Sequence, residues 1–168
     1  SIDCALAPQP AERDRLDYRE LMIEPLFLGM PSRHRLAQAE ELTTGMLEGE
    51  RMLTLGPGHR LSHHVRALCA DSGAVLREEY EGTSLDALRQ MVSIGMGLSV
   101  FPALYAASEF ARREEQVVLR QISDRPLTRS VGLLWRRGHV RADHFQSFGD
   151  ACQRIAAELG EQPSYGVG

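Results

Sequence analysis

Residues 83–103 read TSLDALRQMVSIGMGLSVFPA, and they carry three local signals in close order. Thr83 and Ser84 are helix-capping types, Leu85, Leu88 and Val92 recur at helical spacing, and Gly95 and Gly97 end the run without a Cβ penalty. Residues 98–101 then read as a short apolar strand stopped by Pro102. A capped helix, a glycine break and a buried strand in this order point to a ligand-sensing lobe rather than to a catalytic centre.

Outward from this stretch the predicted elements alternate. Residues 2–7 read as a strand buried on both faces, and residues 21–30 (LMIEPLFLGM) as an extended segment whose interior is weakened by Pro25. A turn at 31–34, a helical stretch at 43–48 and a strand at 51–55 come next. The following helix carries Leu61, Val65, Leu68 and Cys69 and leads to a strand near 75–80 and the helix from Ser84. A second helix about 103–112, strands at 117–122 and 130–136, and a long helix over 141–159 complete the chain. On that last helix Phe145, Phe148, Ala151, Cys152, Ile155 and Leu159 form one apolar stripe. Such alternation predicts an α/β architecture with helices covering a mixed sheet.

Composition excludes several classes. The 168 residues, 43% hydrophobic and 25% charged, suit one globular unit or two small lobes. No apolar run is long enough to span a bilayer and no signal-peptide pattern opens the chain, so a cytoplasmic setting without membrane contact is expected. The net charge of −4 gives no bulk attraction for nucleic acid. Three cysteines without CxxC spacing argue against a disulfide scaffold or a structural zinc site, and Cys4 and Cys152 read as packed thiols. His59, His63 and His64 lie near Cys69, and His34 is a further candidate. Arg60 and Arg66 would repel a cation there, and no HExxH or matching carboxylate is present, so neither metal nor cofactor is expected. No GxSxG elbow or spaced Ser, His and acid set marks an enzyme.

In order and spacing, the helix-glycine-strand-proline passage resembles the effector-binding domain of LysR-type transcriptional regulators. Four stretches are most similar to the OxyR type, the hydrogen-peroxide sensors of that family: RMLTLGPGH from Arg51, Cys69 nine positions after Arg60, TSLDALRQMVSIGMG from Thr83, and VGLLWRRG from Val131. The resemblance implies a two-lobed, periplasmic-binding-protein-like (type II) domain. Residues 1–29 would belong to lobe I, 30–122 would form lobe II, and 123–168 would return to lobe I and end in the C-terminal helix. The family's N-terminal winged helix-turn-helix and the first part of lobe I are then absent from this chain. A homodimer or tetramer, DNA contact through that N-terminal domain, and transcription control in the oxidative stress response follow from the same resemblance.

The resemblance also places residues. Arg60 stands at the peroxidatic-cysteine position, Cys69 at the resolving position, and His59 at the histidine beside the reactive thiol. Arginine forms no sulfenic acid, so the usual intramolecular disulfide is excluded. Two explanations stay open: redox sensing exchanged for another effector, or a variant held in one state. A guanidinium at a helix start beside two glycines suits a carboxylate or oxyanion, so the expected ligand is a small anionic effector or peroxide. Against this stands a solvated Arg60. Thr83 and Ser84 open a second helix, where plain capping is worth about 1 kcal/mol. Phe101 and Pro102 end a strand on the lobe II side, and Arg136 matches a conserved arginine that approaches from lobe I. On the helix from Ser84, the polar residues Asp86, Arg89, Gln90 and Ser93 leave two apolar rows. Leu85, Leu88 and Val92 suit the core, whereas Ala87, Met91 and Ile94, with Asp86, are the expected dimer contact. A bilobal solute-binding protein for a small anion is the alternative reading.

Overall fold

A computed structural model describes residues 3–10, 15–110 and 116–160, with side chains to 155. In chain order the elements are β1 (Cys4–Pro8), β2 (Leu16–Pro31), β3 (Arg51–Leu55), α1 (Arg60–Ser72), β4 (Val75–Gly82) and α2 (Leu85–Ser93). They continue with β5 (Ser99–Pro102), α3 (Ala103–Tyr105), β6 (Val117–Arg120), β7 (Leu127–Arg136) and α4 (Ala142–Gly160). Short 3-10 turns occupy Arg35–Gln38 and Thr44–Leu47, and a π turn occupies Ala106–Phe110. The chain divides into two compact units: one holds it up to Glu24 and again from Thr128, the other runs from Pro25 to Leu127.

In the first unit β7 lies between β1 and β2, antiparallel to β1 with Cys4 opposite Trp135 and Pro8 opposite Val131. Val131, Leu133 and Trp135 are buried, and the Trp135 ring meets Phe145 of α4 at 5.8 Å. Arg19 of β2 fixes α4 at Gly149, where a Cβ would sit 2.7 Å from its side chain. Its guanidinium donates to the Gln146 carbonyl at 2.6 Å and to Gln153 Oε1 at 2.9 Å, and pairs with Asp150. The strand β1 is not buried on both faces as its apolar run suggested. It pairs with β7 alone among the described strands, and this edge position leaves Leu6 66% exposed. Likewise the apolar stripe of α4 is only partly covered: Phe148 is 57% and Ile155 55% exposed, because the helix meets β2 through Gly149, a residue no hydrophobicity pattern selects. Ile2, Ala111, Arg112 and the side chain of Leu159, all within predicted elements, lie outside the described residues.

In the second unit the far half of β2 is flanked on one side by β5, antiparallel from Leu26 to Gly29, and on the other by β6. Pro25 precedes the first β5-paired residue, so its missing N–H leaves no gap in that ladder. Gly29 leaves room for the Phe101 ring, which a Cβ would meet at 2.5 Å. At the centre, β3 pairs parallel with β4 and bridges parallel to β5 at Leu98. The Leu98 N–H donates to Arg51 O at 2.8 Å, the Leu53 N–H to Leu98 O at 2.7 Å, and Ser99 Oγ to Leu53 O at 2.9 Å. Leu28, Met30, Met52, Leu53, Val65 and Leu88 are fully buried and form the heart of the core.

The deciding stretch refines in three places. Ser84, not Thr83, caps α2, its Oγ accepting from the Ala87 N–H at 3.1 Å. Gly95 takes the left-handed turn at φ 83°, whereas Gly97 is required by a close approach, its Cβ position lying 2.7 Å from Arg51 O. Pro102 is the last residue of β5 rather than the stop beyond it, since it is still the register partner of Leu26 in the ladder.

Candidate functional site

Three strands of the second unit, β4, β3 and β5, run parallel, so their C-terminal ends share one edge. Leu55 and Gly82 are register partners there. Beyond them β3 turns through Gly56, Pro57 and Gly58 into α1, β4 passes through Thr83 and Ser84 into α2, and β5 ends at Pro102 where α3 begins. Open parallel α/β sheets bind ligands at this edge, because strand ends deliver helix N-termini with unspent N–H groups. The fold therefore gathers His59, Arg60, Thr83, Ser84 and Pro102 on a single rim, although twenty-odd residues separate each strand end from the next.

The start of α1 has no side-chain cap: His59 holds the N-cap position and is exposed, without a side-chain bond to the first turn. Arg60, the first helical residue, is half-buried and forms no ion pair with any described residue. Thr83 and Ser84 are both exposed, and the Ser84 oxygen caps α2. A carboxylate also belongs to this rim, since Glu81 Oε2 lies 3.4 Å from where a Cβ on Gly56 would stand. Phe101 is fully buried, stacked on Tyr105 at 6.0 Å and edge-on to Phe110 at 5.3 Å, and Pro102 is buried as well. Both shape the floor of β5 rather than an open surface. Arg136, exposed at the end of β7, belongs to the first unit.

Cys69 sits on α1 about 13 Å along the helix from Arg60 at 1.5 Å per residue. Its burial pushes the thiol up from the ordinary cysteine range, while the nearby Arg66 acts in the opposite direction. Arg66 itself is engaged by Glu78 at 2.5 Å. His34 lies in the turn after β2 with Nε2 3.2 Å from Glu50 Oε2, and among the described residues no three His, Cys, Asp or Glu side chains gather as a metal set.

On α2, Ala87 and Met91 are half-buried, and Ile94 at its C-cap is 74% exposed, while Asp86 accepts a hydrogen bond from the Tyr105 hydroxyl at 2.6 Å. Arg89, one of the polar residues between the two apolar rows, is buried, with Nε 4.0 Å from Asp86. Its position was legible, because Leu85, Arg89 and Val92 fall at i, i+4 and i+7 on the buried face. Tyr105 joins this group only through the placement of α3, which no local pattern encodes. Burial, reinforced by the Asp86 bond, pushes its hydroxyl up to about 12. A phenol held protonated in the folded state stabilises the fold fully below pH 10 and loses that contribution as pH rises from 10 towards 12. Urea unfolding at stepped alkaline pH should show this loss in the natural chain and a flatter profile in Tyr105→Phe.

A family model described as the LysR substrate binding domain matches residues 1–157. The DNA-binding transcriptional dual regulator OxyR of Escherichia coli K12 is 30% identical over 150 residues, 89% of this chain and 48% of that protein. The chain thus spans about half the length of the curated relatives it matches. The crystal structure of the oxidised form of OxyR superposes with a TM-score of 0.79 at 27% identity, covering 93% of this chain and 73% of the other. The reduced form gives 0.77 at 26%, covering 92% and 71%.

Proposed function

This chain belongs to the LysR substrate-binding domain family, and from that premise we propose that it is the effector-sensing domain of an OxyR-like regulator whose signal is a small anion held at the rim around Arg60. The mixed α/β fold is that of LysR effector domains, and the chain is a regulatory domain rather than an enzyme. One observation carries the choice of ligand: an uncapped helix start whose first residue is a half-buried guanidinium with no described counter-ion. Supporting it, Thr83 and Ser84 supply hydroxyls at the adjoining helix start. Peroxide is the weaker signal at this rim, because Arg60 replaces a thiol and burial holds Cys69 away from its reactive thiolate.

In this reading the first unit corresponds to lobe I and the second to lobe II. Asp86, Ala87, Met91 and Ile94 of α2 meet a second copy in a homodimer or tetramer, and DNA is contacted by an N-terminal domain of the longer regulator in the cytoplasm. No described helix is long and apolar enough to cross a membrane. The effector acts only to the extent that it favours one dimer arrangement over another.

Calorimetric titration with a panel of small carboxylates and inorganic phosphate tests the anion site. Removing a charge-assisted contact of about 1.5–3 kcal/mol predicts that Arg60→Ala weakens the best anion roughly 10- to 100-fold. An unchanged affinity would remove Arg60 from the site.

A further inference from the structure

We propose that Cys4 and Cys152 form a redox pair, which hydrogen peroxide joins in an intrachain disulfide tying β1 to α4 within the first unit. Neither thiol belongs to the rim around Arg60, and neither is bridged in the present state.

The placement follows from register. Cys4 stands opposite Trp135 in the antiparallel β1–β7 ladder, and directly paired residues of such a ladder point to the same face. That face is the one α4 covers, since the Trp135 ring meets Phe145. Cys152 lies seven residues after Phe145, two helical turns further along the same side of α4. Cys4 and Cys152 therefore share one layer between strand and helix, both half-buried. They also sense each other electrostatically, a thiolate at Cys152 disfavouring one at Cys4. The outer half of β1 is not covered by the helix, as the exposure of Leu6 shows. A bridge requires Cα atoms about 4.4–6.8 Å apart, so its formation draws Cys4 and Cys152 to that separation.

The chemistry balances with peroxide as the oxidant. One thiolate attacks a peroxide oxygen; the O–O bond breaks, the sulfur becomes a sulfenic acid, and water leaves after proton uptake. The second thiolate attacks that sulfur and displaces the hydroxyl as a second water. Two thiols and one peroxide thus give one disulfide and two waters. Burial raises the Cys4 thiol, so bridging requires more peroxide than a low-pKa sensor needs. Once made, the bridge closes nearly the whole chain into a loop, which restricts the unfolded state and raises the melting temperature.

The test uses reduced protein carrying Cys69→Ser, titrated with hydrogen peroxide and, separately, with the thiol oxidant diamide. Expected is a non-reducing digest containing a Cys4–Cys152 linked peptide, an intact mass lower by two hydrogens, and a melting temperature several degrees higher that reverses with a thiol reductant. Cys4→Ser and Cys152→Ser should each fold, as judged by their reduced melts, yet lose both the link and the shift; Cys4→Ala and Cys152→Ala replace either one that does not fold. Mixing isotope-labelled and unlabelled chains should give no cross-labelled link. Separate sulfenic or sulfinic acids without a link, a link between chains, or inert thiols under both oxidants would each overturn the pair.

Discussion

Replacing Gly97 by alanine is expected to destabilise the second unit by about 3 kcal/mol, the sum of an overpacking strain and lost backbone hydrogen bonds. The added Cβ would stand 2.7 Å from Arg51 O and 3.0 Å from Leu53 Cγ, and the nearer of these is backbone that cannot rotate away. Relief requires β5 to move off β3. That movement breaks the Leu98 to Arg51 and Leu53 to Leu98 bonds, and the Ser99 hydroxyl loses Leu53 O. Because β3 and β5 both deliver residues to the rim, the surviving folded protein should also bind anions less well. Chemical denaturation of Gly97→Ala beside Gly95→Ala separates the two glycine roles. Gly95 has open space around its Cβ position and a φ of 83°, so its substitution costs about 1 kcal/mol from the left-handed backbone alone. Equal losses in the two variants would show that β5 accommodates the methyl group and that the close approach does not set the parallel bridge.

This contrast also marks what the residues disclose on their own. The limits of α2 are written locally, by a serine that can cap and a glycine that tolerates the left-handed turn. The role of Gly97 depends on a strand more than forty residues earlier, and nothing near it in sequence distinguishes it from Gly95. The same division holds at the rim. That His59, Arg60, Thr83 and Ser84 begin helices was legible from glycines, hydroxyls and apolar spacing. That they share an edge depends on β3 pairing parallel with β4. The Tyr105–Asp86–Arg89 group and the Cys4–Cys152 layer lie further out of reach, since each joins elements through long-range packing. Apolar patterning misjudged β1 and α4 for a related reason: it records which residues favour burial, not which neighbours are present to cover them.

Glu24→Ala is the second variant with a large expected effect, a loss of about 3 kcal/mol from breaking a buried ion pair. The Glu24 carboxylate is fully buried, and the Arg129 Nε–H donates to its Oε2 at 2.7 Å. Glu24 is the last residue of the chain's first pass through the first unit, and Arg129 is the second residue of its return. The pair therefore joins the point where the chain leaves that unit to the point where it re-enters. Alanine leaves a guanidinium without this counter-charge in a poorly hydrated place, and it leaves a void where the carboxylate stood. Arg129 keeps one-fifth of its side chain exposed, so water relieves part of the cost and the loss falls at the low end for such pairs. The double variant Glu24→Leu with Arg129→Met distinguishes charge from shape, because apolar replacements of similar volume remove both desolvation penalties together. If stability returns in the double variant while Glu24→Ala remains weak, the deficit is that of an unpaired charge. The natural pair then serves to fix how the two crossing strands meet rather than to add net stability. If the double variant is as weak as the single one, the carboxylate's hydrogen bonds are themselves the stabilising element at that crossing.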